Sequence, residues 1–402
     1  MKIKKLLCVA LSTAVIFSFM LGSIVSAEKI NGVKTQEEED MEFVFGSDDG
    51  FDREIRRMIL SDSENVLTAT DIKKMDKDKG GKFAATKNNL QIVTEIFESK
   101  EVNTTLPSSY DISDRVPNPG DQGSLKSCTS WAIGYAALSA KEVQKRGWTP
   151  KSDIHTFSPT HLYNAIVKGE NKATDYVSNF EYIRDNGLST MSYFPVDNSG
   201  CSKQPTSIQT ENAKLYKGTA HSWLKGVNQF KEQIKAGNVV ILPIRTYRDF
   251  NNISVTNQIF DDLSGGSLGS HSIVLVGYDD NKGSNGAFKF MNSWGSDWGL
   301  DGYGWISYNL VSLTEVVLAD ATGFYLKSVA TDDYKLGDID EDGVITVNDS
   351  QVVLNFSVGS STPTARQFVL SDVDGDGKIS VPDAREILRV AVGLESSFSI
   401  YN

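Results

Sequence analysis

Cysteine is scarce: the 402 residues contain three, and the first, Cys8, lies in an apolar amino-terminal stretch expected to be removed. Cys128 and Cys201 then remain, which excludes a disulfide-dense scaffold, since at most one pair can form. An excess of basic residues is also missing. Lys and Arg total 40 against 52 for Asp and Glu, a net charge of -12, which disfavours nucleic-acid backbones and anionic membrane surfaces as partners. After residue 27 no run is apolar enough to span a bilayer. What precedes it, "MKIKKLLCVALSTAVIFSFMLGSIVSA", places Lys2, Lys4 and Lys5 before an apolar core and ends on small residues. That order predicts an export signal over 1–27, hence a secreted, extracellular protein with no membrane span once the signal is cut.

The rest of the chain changes character along its length. Residues 28–105 are polar and uneven, with the acidic block "EEEDMEF", and are expected to form a prosegment or amino-terminal linker. Residues 106–328 are dense in aromatic and aliphatic side chains, with helical spacing early and β-branched, Gly-bounded runs late. Helices first and strands afterwards predict an α+β unit whose two halves flank a cleft. A short linker, 329–334, leads to a duplicated segment over 335–397, and 398–402 form a tail.

One of the two remaining cysteines is placed for chemistry. In "DQGSLKSCTSWAIGYA" Cys128 opens a predicted helix, where unpaired backbone N–H groups favour the negative charge of a thiolate. A neighbouring imidazole would favour it further. Of His155, His161, His221 and His271, the last heads the strand-like run "HSIVLVGYDD" and is fixed in direction by the apolar residues behind it. Asn292, in "FMNSWGSDWG" at the end of the following strand, is suited to orient that ring. Cys201 sits in the turn-rich "DNSGCSKQP" and reads as structural.

Together these residues resemble the papain-like cysteine proteases. Gln122 stands six positions before Cys128, His271 precedes an apolar strand ending in Val-Gly-Tyr, and "NSWGSDWGLDGYG" carries the Asn-Ser-Trp-Gly pattern. The likeness spans about 106–328 and implies a two-subdomain catalytic unit, a helical half beside a β-barrel half. It implies Cys128 as nucleophile, His271 as general acid and base, Asn292 as the residue orienting the ring, and Gln122 with the Cys128 backbone N–H as oxyanion donors. Trp294 would shield the His and Asn contact. Departures are present: Thr129 replaces the usual Trp after the nucleophile, and Leu125 stands where a disulfide cysteine is common.

The final segment repeats at an offset of 34 residues, "LGDIDEDGVITVNDSQVVLNFSVG" and "LSDVDGDGKISVPDAREILRVAVG". Calcium loops need oxygen ligands at alternating positions with Gly at the turn. Asp338, Asp340, Asp342, Val344 through its carbonyl, Thr346 and Asp349 fill that pattern, as do Asp372, Asp374, Asp376, Lys378 through its carbonyl, Ser380 and Asp383. Loop followed by helix, duplicated, resembles the dockerin modules of cellulosomal proteins. That likeness implies a small all-α unit holding two structural calcium ions and binding a cohesin domain on a scaffold protein. The combined expectation is a secreted, cellulosome-associated cysteine peptidase acting on protein or peptide substrates. The alternatives are a catalytically dead papain-fold binding module, or an acyl or amide transferase using the same site.

Overall fold

The computed structural model describes residues 106–401, apart from 314, 318–321 and 333. The expected signal over 1–27 and prosegment or linker over 28–105 lie outside the described residues. The helical half begins with α1, a continuous helix built from Cys128–Ser130, a π-helical stretch Trp131–Leu138, and Ser139–Arg146. Trp131, Tyr135 and Leu138 are all buried, as their spacing predicts, and Gly147 ends the helix in the left-handed conformation. Helix α2, Pro159–Val167, starts where the Ser158 hydroxyl accepts from His161 N and Pro159 fills the first turn. Helix α3, Tyr176–Asp185, is capped by Asp175, and α4, Ser207–Lys214, by a reciprocal Thr206 and Gln209 capping box.

The second half is a sheet. Its strands are β1 (Ser109–Asp111), β2 (Gly218–Lys225), β3 (Val240–Tyr247), β4 (Ile259–Phe260), β5 (Ser267–Asp279), β6 (Ala287–Met291), β7 (Tyr303–Ser307) and β8 (Thr322–Val329). They run in the order β2-β8-β3-β5-β6-β7-β4, with β1 added against β5. Every pairing is antiparallel except β4 with β7. The half expected as a β-barrel is observed as this one sheet, whose end strands β2 and β4 share no ladder among the described residues. Short helices α5 (Gly226–Lys235), α6 (Arg248–Asn251) and α7 (Tyr308–Val311) complete this half.

Central position explains the composition of β5. It pairs with β1, β3 and β6, and residues Gly269 to Tyr278 are buried throughout, so the strand reads as a continuous apolar run instead of an alternation. The loops that meet beside it are tied by Gly302. Its φ of 84° is left-handed, and a Cβ there would come within 2.2 Å of Pro119 Cβ, so only glycine fits. From this position the Gly302 carbonyl accepts from Asn292 N at 2.9 Å, fixing the backbone of a predicted site residue.

The carboxyl-terminal segment is helical, with α8 (Val347–Ser357), α9 (Ala365–Ser371) and α10 (Val381–Ala391). Helices α8 and α10 follow the two acidic loops as the duplication predicts, whereas α9, ahead of the second loop, has no counterpart before the first. From this carboxyl-terminal segment Leu336, Val369, Val373 and Ile400 belong to the same buried cluster as the helical half and the sheet. The predicted linker is held as well: Asp332 takes hydrogen bonds from Lys145 Nζ and from both Arg146 terminal nitrogens. Among the described residues no helix is long and apolar enough to cross a membrane.

Candidate active site

Cys128 is the first residue of α1, and Ser127 before it makes no side-chain cap. The first-turn N–H groups therefore remain free to face a negative charge. The next residue, Thr129, has its hydroxyl 3.3 Å from that of Ser272, which follows His271 in β5. This bond joins the helical half to the sheet, one position beyond each of the two predicted reactive residues. Cys128 and His271 are 3% and 2% exposed.

His271 Nε2 is 2.7 Å from Asn292 Oδ1, the contact expected of an orienting amide. With the carbonyl oxygen as acceptor, Nε2 carries the proton and Nδ1 keeps its lone pair. Nδ1 is buried and makes no hydrogen bond. Trp294 covers the ring, 4.6 Å between centroids, and Phe250 meets both His271 and Trp294 edge to face. The indole thus lies over the ring that Asn292 holds, as the sequence likeness implies.

Gln122 is fully buried and stitched on both sides. Its Nε2 donates to Leu125 O at 2.8 Å, its Oε1 accepts from Ser293 Oγ at 2.7 Å, and its N–H donates to Ser293 O. An amide nitrogen carries two hydrogens. One is spent on Leu125, which leaves the second for an incoming oxygen.

The electrostatics of this resting site differ from the ion pair anticipated. Burial pushes the Cys128 thiol up, opposed by contacts with Ser272 and Thr129. Burial likewise lowers His271 to about 4, opposed by its bond to Asn292. In this arrangement burial therefore opposes a charge on either group. A thiolate and imidazolium pair therefore needs the sulfur and Nδ1 to meet, which the resting arrangement lacks.

The acidic loops converge as their spacing predicts. One carboxylate oxygen from each of Asp338, Asp340 and Asp342 lies within 4.8 Å of the others, and the same holds for Asp372, Asp374 and Asp376. Val344 N donates to Asp342 and Lys378 N to Asp376, so both residues stay in the loop turn. Asp349 receives Ile339 N, Thr346 N and Thr346 Oγ1, and Asp383 receives Val373 N, Ser380 N and Ser380 Oγ. Burial pushes Asp372 up to about 8. Converging hard oxygens around a buried acid form a donor set that fits calcium.

Cys128 thus opens α1, His271 lies on the central strand β5, and Asn292 follows β6 and holds the ring. The family description "Papain family cysteine protease" matches residues 106–319, over half of the chain, and the protein belongs to that family. It is 23% identical over 286 residues, 66% of this chain and 86% of the other, to an uncharacterised peptidase C1-like protein of Acanthamoeba polyphaga mimivirus. A cathepsin B-like protein of Giardia intestinalis is 24% identical over 220 residues, covering 52% of this chain and 70% of that one. Among solved structures, xylellain, a cysteine protease from Xylella fastidiosa, aligns with a TM-score of 0.49 and 20% identity over 56% of this chain and 87% of its own.

Three residues at the site were not singled out from sequence. Ser293 holds the Gln122 amide, and Ser272 and Tyr176 meet behind the thiol, where the phenol bonds the Ser272 hydroxyl. Ser272 had a signal: in a strand, residue 272 points opposite to 271, so a serine there faces a buried layer where an apolar residue is the ordinary choice. Tyr176 had none, being 48 positions from Cys128 on another helix.

Proposed function

We propose that this protein is a secreted cysteine peptidase that hydrolyses peptide bonds through Cys128, His271 and Asn292, tethered by its carboxyl-terminal module to a cohesin-bearing scaffold. The observation that carries the catalytic reading is the His271 Nε2 to Asn292 Oδ1 bond, since it leaves Nδ1 as the only free ring nitrogen beside the Cys128 turn. In the reaction Cys128 Sγ gives its proton to His271 Nδ1 and attacks the scissile carbonyl. The imidazolium returns that proton to the departing amine, and the neutral ring then takes a proton from the water that releases the acyl group. Gln122 Nε2 and the Cys128 N–H donate to the developing oxyanion, worth about 2.7–4 kcal/mol per donor in comparable sites. Replacing Cys128→Ala tests this directly. Casein cleavage should fall by at least about a thousandfold; a variant as active as the parent removes Cys128 from the mechanism.

The tethering reading rests on the duplication and on an exposed apolar pattern that obeys it. Val347, Leu354 and Val358 on and after α8 are exposed, and so are Val381, Leu388 and Val392, each 34 positions later. Helix residues facing water in matched apolar rows fit a protein partner better than solvent. Calcium held by Asp338, Asp340, Asp342, Val344, Thr346 and Asp349, and by their counterparts Asp372, Asp374, Asp376, Lys378, Ser380 and Asp383, would offset the repulsion within each loop. Pull-down on an immobilised cohesin, with and without chelator, checks the pair of claims together.

A further inference from the structure

The reaction scheme needs the second Gln122 amide hydrogen to point at the developing oxyanion, and the short loop before Cys128 decides where that hydrogen goes. Two consecutive peptide groups in this loop have both ends committed. In the Ser124–Leu125 peptide, the N–H of Leu125 donates to Gln122 O at 3.3 Å and the Ser124 carbonyl accepts from Asn171 Nδ2 at 3.2 Å. In the Leu125–Lys126 peptide, the Leu125 carbonyl accepts from Gln122 Nε2 at 2.8 Å and the N–H of Lys126 donates to Asn171 Oδ1 at 2.9 Å. Each peptide group thus meets Gln122 at one end and Asn171 at the other.

A trans peptide is a rigid plane whose N–H and C=O point in opposite directions, so fixing one end fixes the other. The Asn171 amide has one orientation that serves both bonds, since a backbone N–H can only donate and a carbonyl can only accept. Asn171 is itself held, because its Oδ1 also accepts from the Tyr163 phenol of α2 at 2.8 Å. Tyr163 is fully buried and packs with Leu125, Val167 and Cys201 in a small apolar cluster, so one tyrosine anchors both the loop and its clamp. Asn171 is exposed, and water would satisfy the Ser124 carbonyl and the Lys126 N–H nearly as well. Water would not set the direction of the Leu125 carbonyl. Stability therefore does not account for the arrangement, whereas aiming the Gln122 amide does.

We propose that Asn171 is a positioning residue for the oxyanion site, acting through the Leu125 carbonyl on Gln122 Nε2. The inference rests on reading Cys128 as the nucleophile and Gln122 as an oxyanion donor. By holding the Leu125–Lys126 plane, Asn171 keeps one Gln122 hydrogen on Leu125 O and so aims the other at the incoming oxygen, while Ser293 Oγ holds Gln122 Oε1 from the loop after β6. Without Asn171 the plane is free to turn, and both Gln122 hydrogens lose their direction together. Asn171 itself makes no bond to substrate.

The test compares steady-state kinetics on a peptide amide for Asn171→Ala, Gln122→Ala and the double variant. Asn171→Ala should lower kcat about tenfold and leave KM within about twofold, because an oxyanion donor acts in the transition state. In the Gln122→Ala background the same change should cost less than about twofold, since Asn171 acts only through Gln122. Inactivation by iodoacetamide, in which the Cys128 sulfur displaces iodide and no oxyanion forms, should run at the parent rate. A loss of about tenfold in the Gln122→Ala background, or slowed inactivation, would mean that Asn171 merely supports the fold near Cys128 and overturns the proposal. An unchanged kcat in Asn171→Ala, while Gln122→Ala is impaired, overturns it too and leaves the catalytic reading standing. If Gln122→Ala keeps the parent kcat, or Cys128→Ala stays active, the catalytic reading fails and the proposal with it. Should Asn171→Ala not fold, Asn171→Asp, which keeps the shape but has no hydrogen for Ser124 O, decides by the same readings.

Discussion

At the scale of single residues, the site depends on the one amide oxygen that Asn292 shares between its neighbours. Asn292 accepts from His271 Nε2 and from Ser293 N through one oxygen, so its amide fixes both the ring and the loop that follows. Asn292→Ala should lower kcat by about tenfold to a hundredfold with little change in KM, because ring orientation matters in the transition state more than in substrate binding; steady-state kinetics on a peptide ester checks it. His161 shows the other fate of a buried imidazole. It bonds Ser189 Oγ and Tyr182 OH, is 1% exposed, and burial lowers it to about 4. The unfolded ring titrates near 6.5, so this contribution to stability is complete above that pH and is lost as pH falls from about 6.5 to 4. Calorimetric melting across that window should show a decline that His161→Gln reduces. The two rings differ in their partners: His271, on β5, has one nitrogen bonded to Asn292 and the other unbonded, whereas both nitrogens of His161 are bonded within the helical half.

Elements carry the next level of argument, and α1 is where the halves are clamped. Near its end Arg146 pairs with Glu142 at 2.6 Å, their side chains 5% and 1% exposed, and its guanidinium lies 4.9 Å from the Trp148 ring centre. Its outer face bonds Asp332, which is 37% exposed. Arg146→Ala strands the Glu142 charge in the interior and should cost about 3–5 kcal/mol. Asp332→Ala breaks the half-exposed bonds to Lys145 and Arg146 but leaves the Glu142 pair, and should cost less than about 1 kcal/mol. Urea unfolding of the two variants separates them, and equal losses would contradict the burial argument. The Glu and Arg four positions apart are plain in the sequence, but their burial is not: it comes from Trp148, Tyr216 and Asp332, which reach α1 from later segments. For the same reason the helix start at Cys128 was legible from local chemistry, while the strand order of the sheet was not. Pairing at β4 depends on a two-residue strand that no periodicity marks.

Viewed as a whole, the described residues include a large buried cluster shared by the sheet, the helical half and the carboxyl-terminal module, and the two acidic loops are unequal because of it. Asp338 accepts Asp342 N and Gly343 N, both from its own loop. Its counterpart Asp372 accepts Gly375 N, Asp376 N and Gly377 N, and in addition the Tyr193 phenol from the segment between α3 and α4. A carboxylate offers about four lone-pair sites, so four donors fill Asp372 while two sites stay open on Asp338. The duplication predicted equivalent loops; the inequality is a tertiary effect, invisible in a repeat that matches without gaps. On the proposed reading, a calcium ion reaching Asp372 would have to displace a donor, and the obvious one is Tyr193, since the three N–H groups belong to the loop turn itself. Binding at the second loop and the Tyr193 bond therefore oppose each other, with the same coupling in both directions. Tyr193→Phe should tighten calcium at the second loop by about tenfold, the worth of a hydrogen bond to a charged group, and leave the first loop unchanged. Calorimetric titration of calcium into the intact chain resolves the two sites once Asp340→Ala has silenced the first. Weaker binding at the second loop in Tyr193→Phe would mean that the phenol supports the ligand cage instead of competing with it.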